Sequence, residues 1–117
     1  MTAPKPVGPY APVVRTGDWL VCSGQVGLRD GALAAGVKGQ TTQAITNLRA
    51  LLEAEGSSLD DVVKTTVFLV HMQDYAAMNE AYSAAFGDHR PARSAVGVAA
   101  LPLGALVEVE AWARLGE

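Results

Sequence analysis

The sequence predicts an α+β fold, a mixed sheet with two helices packed on one of its faces. Two observations carry that prediction. Two segments show a one-sided apolar stripe at helical spacing. The segments around them are short runs that are rich in β-branched residues or alternate in polarity. Along the chain the order reads β, β, short β, α, β, α, β, β.

Taken in order, Ala11 to Arg15 is extended, and Thr16-Gly17-Asp18 turns it into Trp19-Leu20-Val21-Cys22. Arg29-Asp30-Gly31-Ala32 supplies the next turn. The first helix runs from about Lys38 to Glu55, with Ala44, Ile45, Leu48, Leu51 and Leu52 as its stripe and Gly56 as its left-handed stop. Val62 to Val70 is rich in β-branched residues and predicts a buried strand. The second helix runs from Asp74, its expected N-cap, to Phe86. Tyr75, Met78, Tyr82, Ala85 and Phe86 line one side, and Gly87 ends it. Arg93 to Val98 predicts a short strand in which Gly97 marks a bulge. Leu106 to Ala113 alternates: Val107, Val109 and Ala111 take one face, while Leu106, Glu108, Glu110 and Trp112 take the other.

At 117 residues the chain has the size of one domain, spanning 1–117. Half of it is hydrophobic (50%) and 18% is charged, which excludes a disordered chain. A formal charge of −3 with scattered Lys and Arg argues against a nucleic-acid partner, because phosphate binding needs a clustered basic face. The single cysteine, Cys22, forms no internal disulfide and fits a reducing compartment. Met1 to Pro6 is polar and proline-punctuated and predicts no signal peptide, and no apolar run reaches membrane-spanning length. The reading is a cytoplasmic protein with no membrane partner. So high an apolar share in so small a domain also leaves hydrophobic surface for a subunit interface.

No phosphate-binding glycine loop, paired-cysteine zinc pattern, zinc-protease helix or serine elbow occurs. His71 and His89 stand alone, and Cys22 in its strand reads as a small buried hydrophobe. Glu108 and Glu110 fall on one strand face about 6.6–7 Å apart. Pattern alone favours a solvated face. Leu106 and Trp112 beside them favour partial desolvation, which lifts a carboxylate's pKa towards values useful for proton transfer. A sugar-cleaving pair fits the spacing but not the 6% aromatic content. Arg93 follows His89-Arg90-Pro91-Ala92 into a strand; the residues alone favour a surface ion pair, with a two-point clamp on a carboxylate as the alternative. Tyr10, fixed by Gly8-Pro9, reads as either a site or a packing residue.

Six colinear segments resemble the RidA/YjgF reactive-intermediate deaminase family. They are Gly8-Pro9-Tyr10-Ala11, Ser23-Gly24-Gln25, Val63 to Phe68, Met78-Asn79-Glu80-Ala81-Tyr82, Pro91-Ala92-Arg93-Ser94 and Leu106 to Ala111. The resemblance spans nearly the whole chain. It implies a chorismate-mutase-like fold and a homotrimer with clefts between subunits. It further implies hydrolysis of enamines and imines such as 2-aminoacrylate and 2-imino acids to 2-keto acids and ammonia, with no metal or cofactor. By the same resemblance the carboxylate-binding arginine is Arg93 and the water-activating glutamate is Glu108. Tyr10, Asn79, Ser23 and the Gly24 backbone line the substrate, a small carboxylate-bearing molecule.

Two positions depart from the family's pattern: Ala95 stands where many members have cysteine, and Gly27 where proline is usual. Both bear on substrate preference. Alternative readings are an endoribonuclease or translation inhibitor, a non-catalytic ligand-binding or chaperone-like trimer, and an enzyme for a different small acid in the same cleft. The acidic balance speaks against the first.

Overall fold

The computed structural model describes residues 2–116. The hairpin of β1 (Val13–Thr16) and β2 (Trp19–Val26) leads into a second, separate hairpin of β3 (Leu28–Arg29) and β4 (Ala32–Leu33). Then follow α1 (Gly36–Ala54), β5 (Val62–Leu69), α2 (Tyr75–Phe86), β6 (Ala92–Gly97) and β7 (Val107–Arg114). The main sheet has the order β1-β2-β7-β5-β6. Every neighbouring pair in it is antiparallel except β5 and β6, which run parallel because α2 carries the chain back over the sheet.

Alternation along the strands sends Leu20, Cys22, Val67, Leu69, Val107, Val109 and Ala111 to one face. There they meet Ala44, Ile45, Leu48 and Leu52 of α1 and Met78, Tyr82 and Phe86 of α2 in one core, so both helices lie on the same face, as the stripes predict. The opposite face is open and carries Thr66, Phe68, Glu108, Glu110 and Trp112.

Several local expectations are corrected. The first helix begins at Gly36, two residues early, and Leu51 in its stripe is only half-buried. Asp74 stands at the N-cap position but its side chain makes no cap hydrogen bond, because a 3-10 turn over Met72–Asp74 runs straight into α2. Gly97 marks no bulge, since β6 pairs with β5 without interruption through it. Its missing side chain instead admits Met72, whose Cγ would lie 3.2 Å from a Cβ there. The bulge is in β2. Cys22 pairs with Ala111 and Gln25 with Val109, so Ser23 and Gly24 of β2 together oppose the single Glu110 of β7.

Polar residues interrupt the apolar side of α1, and they fasten strand ends. Buried Asn47 donates from Nδ2 to the carbonyls of Val26 (3.1 Å) and Leu28 (3.0 Å), where β2 leaves the sheet. Gln40 Oε1 accepts the Leu106 N–H at 2.8 Å, just before β7. Leu106 therefore lies outside the strand that the alternation assigned to it.

Candidate active site

The β2 bulge determines the local geometry. Its extra residue restores Gln25 to the buried face and turns Gly24 towards Glu108 on the neighbouring strand β7. Gly24 and Glu108 then share a pocket of about 60 Å³ with Tyr10, Gln25, Val26 and Leu103. Lys5 and the prolines around it close the pocket from the N-terminal segment.

Tyr10 reaches the pocket through a turn closed by its own N–H on the Gly8 carbonyl, 3.0 Å. Ser23 holds that turn down. Its Oγ donates to the Ala11 carbonyl (2.7 Å) and its N–H to the Pro12 carbonyl (2.9 Å). The Ser23 hydroxyl is therefore engaged with backbone and tethers the segment that carries Tyr10. Burial raises the pKa of Glu108, and the charge of Glu110 two residues on raises it further. A half-buried carboxylate of this kind accepts and releases a proton more readily near neutrality than a solvated one.

Arg93 and Asn79 are not in this pocket. Arg93 lies opposite Thr65 in the β5–β6 ladder, and Glu108 lies opposite Phe68 in the β5–β7 ladder. Thr65 is buried towards the helices and Phe68 lies on the open side, so Arg93 and Glu108 point to opposite faces of the sheet. They are also two strands apart, roughly 10 Å across the sheet.

The Arg93 guanidinium is packed against α2. Its carbon lies 4.8 Å from the Tyr82 ring centroid and 5.5 Å from that of Tyr75. Nη2 donates to the Tyr75 hydroxyl at 3.0 Å, and Nη1 approaches Met78 Sδ at 3.9 Å. Asn79, on the same helix, buries its Oδ1 without a hydrogen-bond partner among the described residues. The sequence reading missed Tyr75, Leu103 and Gln25. Tyr75 was assigned to the packing stripe, but it is 41% exposed and bound to Arg93.

The other candidates resolve simply. Burial pushes the Cys22 thiol up to about 11, so it stays protonated and inert, as its strand position predicts. His89 hydrogen-bonds through Nε2 to the Val62 carbonyl at 2.7 Å. Among the described residues no group of three or more His, Cys, Asp or Glu is placed to hold a metal ion, and no helix is long and apolar enough to cross a membrane.

Fold and pocket together define a small α+β domain with a carboxylate-bearing pocket beside a bulged strand. The model of the Endoribonuclease L-PSP family matches residues 1–115. The chain belongs to this family, which is the RidA/YjgF family its motifs resemble. It is 46% identical over 114 residues to RutC family protein PH0854 of Pyrococcus horikoshii, covering 95% of this chain and 90% of the relative. It is 41% identical over 116 residues to the 2-iminobutanoate/2-iminopropanoate deaminase of Salmonella typhimurium, covering 95% and 91%. The crystal structure of RidA from the Antarctic bacterium Psychrobacter sp. PAMC 21119 superposes with a TM-score of 0.93 at 42% identity, covering 97% of this chain and 94% of that one.

Proposed function

We propose that the chain is a hydrolytic deaminase that converts 2-imino acids, and the enamines in equilibrium with them, to 2-keto acids and ammonia. The carrying observation is Glu108, a half-buried carboxylate with a raised pKa set against the Gly24 backbone in a pocket of about 60 Å³. The names of the deaminase relatives supply the substrate class.

The chemistry asks little more of a protein. An imine carbon is already electrophilic, so water adds to it without a protein nucleophile. Glu108 takes a proton from that water as the new C–O bond forms. The imine enters protonated (C=NH2+), so water addition leaves an amine; the proton held by Glu108 then passes to that nitrogen, the C–N bond breaks with its electron pair on nitrogen, and ammonia leaves. Loss of the hydroxyl proton then gives the keto acid. Arg93 fits the substrate carboxylate, which a guanidinium grips in two-point fashion.

For one small substrate to touch both Arg93 and Glu108, the two must come from different chains, because within one chain they occupy opposite sheet faces. That separation supports a cleft shared between subunits, in the homotrimer that the family resemblance implies. Tyr10 and the Gly24 backbone would then line the Glu108 side and Asn79 the Arg93 side. Ser23 acts by fixing the Tyr10 turn.

The test generates 2-iminobutanoate and 2-iminopropanoate in situ with a separate enzyme and follows decay of the C=N absorbance. The wild type should accelerate decay, and Arg93→Ala and Glu108→Gln should not. Because the family model carries an endoribonuclease description, RNA serves as the control substrate. RNA cleavage together with no effect on either imine would overturn the deaminase reading.

A further inference from the structure

Each group that holds the Arg93 guanidinium is electrically neutral: the Tyr75 hydroxyl, the faces of Tyr75 and Tyr82, and the Met78 sulfur. Among the described residues Arg93 forms no ion pair. Such a cradle orients a cation without cancelling its charge, and the charge stays available to an incoming anion. A guanidinium has five N–H donors; one is taken by Tyr75 and one by Met78, which leaves donors for a carboxylate.

The cradle has a fixed part and an adjustable part. Tyr82 is buried, and its hydroxyl shares a 2.7 Å hydrogen bond with Thr65 on β5; Met78 is fully buried in the core. These two form the floor. Tyr75, at the first position of α2, is the exposed member. Its hydroxyl is the only strong hydrogen-bond partner of Arg93 among the described residues, and it sets how the planar guanidinium is rotated over that floor.

We propose that Tyr75 is the positioning residue for Arg93, and that its hydroxyl sets the affinity for the substrate carboxylate. The proposal rests on the deaminase reading for its substrate, but the geometry of the cradle stands apart from it. A guanidinium held in its two-point orientation before binding loses less freedom when the carboxylate arrives. Since the carboxylate is held alike before and during water addition, losing the hydroxyl should act on binding more than on the chemical step.

Tyr75→Phe keeps the ring and removes only the hydroxyl. The KM for 2-iminobutanoate should rise about threefold to tenfold, the span of one lost hydrogen bond, with kcat within about twofold of wild type. The dissociation constant of 2-oxobutanoate, measured by calorimetry with no turnover, should rise by the same factor. Turnover of an imine lacking a carboxylate should not change. Unchanged KM and unchanged 2-oxobutanoate affinity would overturn the proposal, as would an equal loss on the carboxylate-free imine, which marks a structural role. A wild type that binds 2-oxobutanoate but accelerates no imine would sink the deaminase reading alone, and the calorimetric comparison would still decide for or against Tyr75.

Discussion

A Cβ placed on Gly24 would lie 2.8 Å from the carboxyl carbon of Glu108 and closer still to its Oε2, so the glycine is the space that the carboxylate occupies. The match arises from the β2 bulge, which turns Gly24 towards β7 at the level of Glu108. The contact is with the far end of a flexible side chain. An alanine can therefore be accommodated by swinging the carboxylate away, at small cost to folding but with loss of its position. Gly24→Ala should lower kcat/KM on 2-iminobutanoate by about 10²-fold or more, the usual worth of a general base. Its melting temperature should stay close to wild type. Full activity in this variant would mean that the carboxylate position does not matter.

Gly27 gives the opposite outcome for a physical reason. A Cβ there would meet the Gln40 carbonyl oxygen at 2.6 Å and its carbonyl carbon at 2.9 Å, both backbone atoms of α1. A helix backbone cannot rotate aside. Gly27→Ala should cost about 1–3 kcal/mol of stability by overpacking, read from denaturant unfolding. Activity per folded molecule should be kept, because Gly27 does not line the Glu108 pocket. Gly27 is thus the residue that lets α1 approach the end of β2 so closely in this chain.

The raised pKa of Glu108 makes two linked pH predictions. As a base Glu108 acts only when ionised, so the acidic limb of kcat/KM should lie above the ordinary carboxylate range. Burial is the larger cause and the Glu110 charge the smaller. Glu110→Gln should therefore move the limb to lower pH without bringing it down to the solvated value. For stability, a carboxylate with a higher pKa folded than unfolded binds more protons in the native state. Its ionisation costs nothing below the unfolded value, grows through the window between the two values, and stays constant above it. Glu108→Gln should accordingly stabilise the fold at neutral pH, with the gain shrinking to nothing as pH falls below the ordinary carboxylate range. A gain that persists unchanged at acid pH would contradict the sign.

The sequence made the layers legible because they follow from periodicity. The stripe of α1 and the alternation of β7 fix which faces are buried, and the core agrees with them. Glu108 was legible for the same reason, as a carboxylate on the open face among apolar neighbours. Three features were not. The β2 bulge lies in Ser23-Gly24, where a one-residue slip leaves no mark on composition. Gln40 and Asn47 look like flaws in an apolar stripe until their strand-end carbonyl and amide partners are known. Tyr75 fits the helical stripe, and only the register of β6 against β5 brings Arg93 beneath its hydroxyl. Likewise, motif order lists Arg93 and Glu108 together, while strand register puts them on opposite faces.

Leu103 offers the last test, because strain and function meet in it. It takes a left-handed backbone (φ 62°, ψ 15°) in the 3-10 turn Pro102–Gly104, and it remains 56% exposed at the pocket rim. A side chain with a Cβ costs roughly 1–2 kcal/mol in that conformation. A leucine stands at a position where glycine or asparagine would be easier to hold. It gives an apolar rim to the pocket that Val26 and Glu108 also line, suited to the alkyl end of a 2-imino acid. Leu103→Gly relieves the strain but adds chain entropy to the unfolded state, and the two nearly offset, so the melting temperature should stay within a few degrees. Leu103→Asn tolerates the same backbone and presents a polar group. Both variants should lose kcat/KM on 2-iminobutanoate more than on 2-iminopropanoate, by about 2-fold to 5-fold in the ratio, on the order of the burial of one methylene. An unchanged ratio in both would show that the rim does not touch the substrate's alkyl group, and would leave the strain at Leu103 to a role in chain direction alone.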